Sequence, residues 1–200
     1  MNVRLQHNLV FTAGVHYHGQ LIMNNYLLKA YMITNYVESE QVDMAFERLK
    51  FFVNEELDST IFINKECKEE CRLYAAAGIK VTTIPNEPVD QIVGVMIFHK
   101  LNAIMEGRIS VVETELSSTI GDNVVYIHSE NELTNDLDIP AWWTTPDLNH
   151  SELDVLDSDK VFAIPYSGPN WDDLDLAWPN EEPKETGNIV FADFKQDETK

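Results

Sequence analysis

The spacing of apolar residues changes period several times along the chain, and each change marks an element. Residues 8–23, NLVFTAGVHYHGQLIM, are rich in β-formers and carry Gly14 and Gly19, which predicts a strand or hairpin bent at the glycines. Residues 26–34, YLLKAYMIT, mix aromatic and branched side chains and read as a further strand. Over 39–57 the period becomes helical. Val42, Ala45, Phe46, Leu49, Val53 and Leu57 share one face, and Glu40, Asp43, Glu47, Lys50 and Asn54 share the other. Ser39 suits the N-cap, and Glu40 suits the first turn, where the helix dipole favours negative charge.

Asp58 and Ser59 break this pattern before a short strand, TIFI, at 60–63. KECKEECRLYAAA at 65–77 predicts a second helix, ended by Gly78. IKVTTI at 79–84 predicts a strand stopped by Pro85 and Asn86, and Pro88 suits the first turn of a third helix. That helix, 88–106, is apolar almost all round, which marks it as central and buried or as packed on a partner. Strands at 108–116 and 123–129 flank the turn residues Gly121, Asp122 and Asn123, a second hairpin signal. Interleaved strands and helices with hairpins at both ends define an α+β fold. The expectation is a mixed β-sheet with about three helices packed on it.

Composition divides the chain near residue 131. Residues 131–200 hold 17 acids and 4 Lys, and residues 1–130 hold 17 acids and 10 Lys plus Arg. Six of the eight prolines and all four tryptophans also lie in the last 70 residues. The expected organisation is an α+β core domain over 1–130. An irregular acidic extension over 131–200 follows, with β-like islands at 160–166 and 188–194. Its aromatics predict packing on the core or on a partner, because disordered segments normally lack them.

The formal net charge is −20, which repels nucleic acid and anionic membranes and makes direct nucleic-acid binding an unfavoured function. No stretch of 18 uncharged apolar residues occurs and the N-terminus carries no secretion-signal pattern. With only two cysteines, Cys67 and Cys71, the expected setting is a reducing, cytoplasmic one. Dinucleotide, phosphate-loop, nucleophile-elbow and His-Glu-x-x-His motifs are all absent, so the reading assigns no catalytic residue and no cofactor.

Acids interleaved with Trp and Leu, as in WDDLDLAW at 171–178, can dock on a basic groove lined with apolar side chains. The leading functional expectation is therefore a non-enzymatic interaction protein of accessory or inhibitor type, such as viruses encode. It would engage a basic protein partner, such as a nucleic-acid-binding protein, through Trp142, Trp143, Trp171, Asp172, Asp173, Asp175 and Trp178. A second expectation is a metal-binding protein or metal-dependent enzyme. His16 and His18, at i and i+2 on one strand, would aim at Glu113, Glu115 or His128. A third is a structural subunit of an assembly, and homo-oligomerisation is compatible with all three. Cys67, Cys71, Tyr74 and Ala75 form a stripe suited to packing a small helix on a sheet, and His99 suits the edge of the core.

Overall fold

The computed structural model describes residues 3–34, 39–129, 141–150 and 169–179. Six strands form one mixed sheet: β1 (Val3–Tyr17), β2 (Gln20–Thr34), β3 (Ile61–Asn64), β4 (Val81–Ile84), β5 (Ser110–Ser118) and β6 (Tyr126–Ser129). Their order across the sheet is β4-β3-β1-β2-β5-β6. The β1–β2, β2–β5 and β5–β6 pairs are antiparallel, and β1–β3 and β3–β4 are parallel. Three α-helices connect them: α1 (Ser39–Phe51), α2 (Lys68–Ala76) and α3 (Asp90–Met105). The α+β class, the mixed sheet and the number of helices agree with the sequence reading.

The long β1–β2 hairpin organises the molecule. Its turn falls at His18 and Gly19, both at positive φ, so the bend lies at the second glycine. Gly14 stays inside β1, where a Cβ would come within 2.9 Å of Leu21 Cδ1 and 3.1 Å of Ile61 Cγ1. Here a bare backbone lets β3 approach β1.

Alternation then sorts the side chains. Leu9, Phe11, Ala13 and Val15 of β1 and Tyr26, Leu28, Ala30 and Met32 of β2 are buried on one face, under α1 and α3. Phe11 stacks on Tyr26 at 4.8 Å between ring centroids, and Phe62 meets both rings edge-on.

The first helix is not uniform. After Phe51 it widens into a π-helical turn, Phe52–Leu57, with Asp58 N–H donating to Val53 O at 3.0 Å. Phe52, Val53, Glu56 and Leu57 are buried along this wider turn. Helix α2 packs on the opposite face of the sheet. Cys71, with Cys67 and Tyr74, sits on Ile61, Ile63 and Val81, so the cysteine stripe is a packing surface. Ala75 of that stripe is exposed.

Helix α3 is buried along much of its length, and its Lys100 is fully enclosed. It ends in the left-handed residues Glu106 and Gly107. Among the described residues, no helix is long and apolar enough to cross a membrane. The β-like islands expected at 160–166 and 188–194 lie outside the described residues.

Candidate functional site

Among the described residues, α2 covers only β3, β4 and the far end of β1, and the rest of that sheet face is open. His16 marks the boundary, with its ring 6.0 Å from Tyr74 of α2. Pairing aligns the open face in cross-strand rows. One row is Val10, Leu27 and Ser117, and the next holds Thr12 and Asn25, with Thr119 just beyond the end of β5. Val10 is 71% exposed and Leu27 is 39% exposed, so the apolar part of the row is open, while Ser117 at its end is buried.

These rows floor a shallow, solvent-open cavity of about 460 Å³. Its lining also includes Asp58, Ser118 and Asn123, with Phe11 and Tyr26 behind it. The volume falls in the range of small-molecule sites.

The polar lining is fixed by its own hydrogen bonds. Thr12 Oγ1 donates to Asn25 Oδ1 at 2.9 Å. The Thr12 N–H donates to Asp58 Oδ1 at 2.8 Å, and Ser59 Oγ donates to Asp58 Oδ2 at 2.9 Å. Ser59 N–H donates to Thr12 O at 2.7 Å, with Ser59 in the left-handed region. At the other end Thr119 Oγ1 donates to Asn24 Oδ1 at 3.0 Å and accepts from Asn25 N–H at 3.3 Å. Ser118 Oγ donates to Asp90 Oδ2 at 2.5 Å, tying the end of β5 to the start of α3. Among the described residues of this lining, Asp58 is the one that carries charge.

Beyond the apolar row the open face is ionic and internally neutralised. Glu115 accepts from Lys29 Nζ and from Tyr31 Oη, each at 2.6 Å, and Glu113 lies 3.6 Å from Arg4. The hydrogen bond from Lys29, and then that from Tyr31, holds the Glu115 carboxyl below its ordinary value. The bond to Glu115 in turn raises Lys29 and Tyr31.

The residues expected to bind a metal are not brought together. His16 is buried in β1, but His18 leaves the strand at φ 48° and is exposed in the turn, so the two do not share a strand face. Glu115 lies across β2 from Asn8 of β1. His16 is eight residues further along that strand, about 26 Å away at the usual strand rise. His128 faces the opposite side of the sheet, against Gly94 of α3. Among the described residues, no group of three or more His, Cys, Asp or Glu side chains could hold a metal ion. His99 is half-buried beside Phe98, with ring centroids 5.9 Å apart.

The tryptophans belong to the chain's own core, each 8% exposed or less. Trp142 donates its indole N–H to Thr83 O at 2.8 Å and so caps the β4 edge of the sheet. Lys100, enclosed near the Phe52 and Trp142 rings, donates to the carbonyls of Trp142 and Thr145 at 2.8 and 3.0 Å. Desolvation lowers this lysine to about 8, against the pull of Asp147.

Trp171 and Trp178 face the Arg48 guanidinium, at 4.7 and 4.3 Å from it to their ring centroids. Arg48 also donates to Leu176 O, Ile104 O and Glu106 Oε1. Trp178 shares Glu106 Oε1 at 3.0 Å, and Trp171 donates to Pro146 O at 2.6 Å. Asp172, Asp173 and Asp175 are exposed around the short turn that follows Trp171.

No family model matches the chain, and no curated protein matches it at a significant level. Among solved structures, it is similar to an uncharacterized protein from Wolinella succinogenes, at 10% identity and a TM-score of 0.48. That match covers 65% of this chain and 99% of the other. It is also similar to 6-pyruvoyl tetrahydropterin synthase from Plasmodium vivax, at 12% identity and a TM-score of 0.40, over 64% of this chain and 97% of that one. The Caenorhabditis elegans synthase matches at 12% identity and a TM-score of 0.40, over 64% of this chain and 96% of that one.

The expectation of a non-enzymatic, virus-type accessory protein docking on a basic partner through its tryptophans is corrected by their burial. The rings meant for a partner, Trp142, Trp143, Trp171 and Trp178, are packed in the chain's own core. The cavity lining itself was missed by sequence reasoning. Thr12, Asn25, Asp58 and Thr119 come from four separate segments with no local motif, and only the strand register brings them into line.

Proposed function

We propose that this chain is a small-ligand-binding α+β protein whose site is the cavity on the open face of the sheet. One observation carries the reading: an uncovered apolar row, Val10 and Leu27, beside a hydrogen-bonded row of Thr12, Asn25, Asp58 and Thr119, around a cavity of about 460 Å³. An apolar floor beside a few fixed polar groups is the usual make-up of a small-molecule site, since apolar area supplies affinity and polar groups set orientation. The lining sits largely on strands at the centre of a six-stranded sheet, so the site is rigid before a ligand arrives. Both cysteines are free thiols, which supports a reducing, cytoplasm-like setting.

The test is a cavity-filling variant. Leu27 points to the open face and is part-exposed, so Leu27→Trp fills the floor without entering the core under α1 and α3. Fragments that bind the natural chain, measured by calorimetry, are expected to lose at least tenfold in affinity. The melting temperature should change by no more than a few degrees. Unchanged affinity in a folded Leu27→Trp protein rules out this cavity as the site.

A further inference from the structure

We infer that the ligand of this cavity is a small amphiphilic cation, an ammonium or amidinium group on a short apolar body. The inference rests on the reading of the cavity as the ligand site, and it names the chemistry of the occupant.

Recognition begins with Asp58. It ends the π-helical turn and leaves in extended geometry at φ −64°, ψ 137°. Its carboxylate is held by two donors, the Thr12 N–H on Oδ1 and the Ser59 hydroxyl on Oδ2. An ionised carboxylate has about four acceptor positions, so each oxygen keeps capacity for another donor. The internal bonds fix its direction, and the remaining acceptor sites are available to a bound group. A charged donor there would make a charge-assisted hydrogen bond, about twice as strong as a neutral one.

The rest of the lining selects against other classes. None of its described residues is Lys, Arg or His, so none of them compensates an anion. Lys29, two residues beyond Leu27 on the same face, is bound to Glu115. The chain carries a formal net charge of −20, a field that concentrates cations and excludes anions. Val10 and Leu27 supply apolar contact beside the carboxylate, which favours a cation with a short hydrocarbon body over a bare metal ion or a polyol. The hydroxyl and amide groups of Thr12, Asn25 and Thr119 can then take further donors or acceptors of the same ligand.

Butylamine, 1-butanol and butyrate share one hydrocarbon body and differ in the head group. They are titrated by calorimetry into the natural chain and into Asp58→Asn. Asparagine keeps the shape, and its oxygen still accepts from Thr12 N–H while its amide can donate to the Ser59 hydroxyl, so the charge and one acceptor oxygen are lost.

The expected result is butylamine binding at least tenfold tighter than butanol, no detectable butyrate binding, and at least a tenfold loss for butylamine in Asp58→Asn. A second measurement stands if that variant fails to fold. Raising salt from ~0.02 M to ~0.3 M should weaken butylamine severalfold and leave butanol unchanged, because the screening length shortens to a few ångströms. Equal binding of butanol and butylamine, or butylamine binding that is indifferent to Asp58→Asn, overturns the cationic assignment and leaves the cavity reading intact. Failure of all three probes also overturns it, and the cavity reading then falls only if Leu27→Trp leaves fragment binding unchanged as well.

Discussion

Arg48 shows how much of this structure hangs on single side chains. The residue is 2% exposed, and its guanidinium faces two indoles and donates to two backbone carbonyls and one carboxylate. Replacing it with methionine keeps most of the volume but leaves those acceptors without their donor, which costs more than the lost contacts themselves. We expect Arg48→Met to lower unfolding free energy by about 2–4 kcal/mol, measured by denaturant unfolding.

Lys100 gives a pH signature instead. Folded, it releases its proton near pH 8; unfolded, near 10.5. The unfolded chain therefore binds more protons between those values, so this residue's contribution to stability rises with pH across that window and is most unfavourable below it. The difference between natural chain and Lys100→Met should shift by up to roughly 3 kcal/mol from pH 8 to pH 10.5. A flat difference curve would mean that Lys100 is solvated.

At the scale of elements, α3 and β6 meet through a glycine. A Cβ at Gly94 would overlap the His128 ring, Nε2 and Cδ2 above all. In a free helix Gly→Ala gains about 1 kcal/mol. Here the overlap with a buried ring dominates, and Gly94→Ala should destabilise by about 1–3 kcal/mol. In a His128→Ala background the same change should become neutral or stabilising, a coupling that a double-mutant cycle on melting curves reads directly.

Elements were also where the sequence was most legible. Periodicity located all three helices and every strand of the sheet to within a few residues, apart from the longer reach of the β1–β2 hairpin, because the burial pattern is periodic. The π-helical turn at Phe52–Leu57 was read as a continuation of α1, since both present apolar residues at similar spacing. The site escaped notice for another reason. Thr12 read as a β-former, Asp58 as a helix breaker and Asn25 as nothing in particular; their alignment comes from the β1–β2 register and the Thr12–Asp58 hydrogen bond, which no local pattern encodes. The histidine pair was overread because strand alternation was extended through His18, where the chain already turns.

The whole molecule carries a charge imbalance that its contacts only partly offset. The described ion pairs are few, while the formal net charge is −20. Self-repulsion of that size destabilises a compact chain, and added salt screens it. The melting temperature should therefore rise as sodium chloride is raised to about 0.5 M, where the screening length is only a few ångströms. A fall with salt would show that ion pairs outweigh the repulsion.

At the same scale, the described parts of the C-terminal third belong to the core, through Trp142 on the β4 edge and Trp171 and Trp178 around Arg48. With these aromatics turned inward, the proposed ligand site is the open face of the sheet. The most direct measurement of that claim is a map of backbone amide shifts in the labelled protein as a library of small polar fragments is added. The account predicts that binders perturb one contiguous set centred on Thr12, Asn25, Leu27, Asp58 and Thr119. Shifts centred on α2, on the segment around Trp178, or scattered over the surface would contradict it.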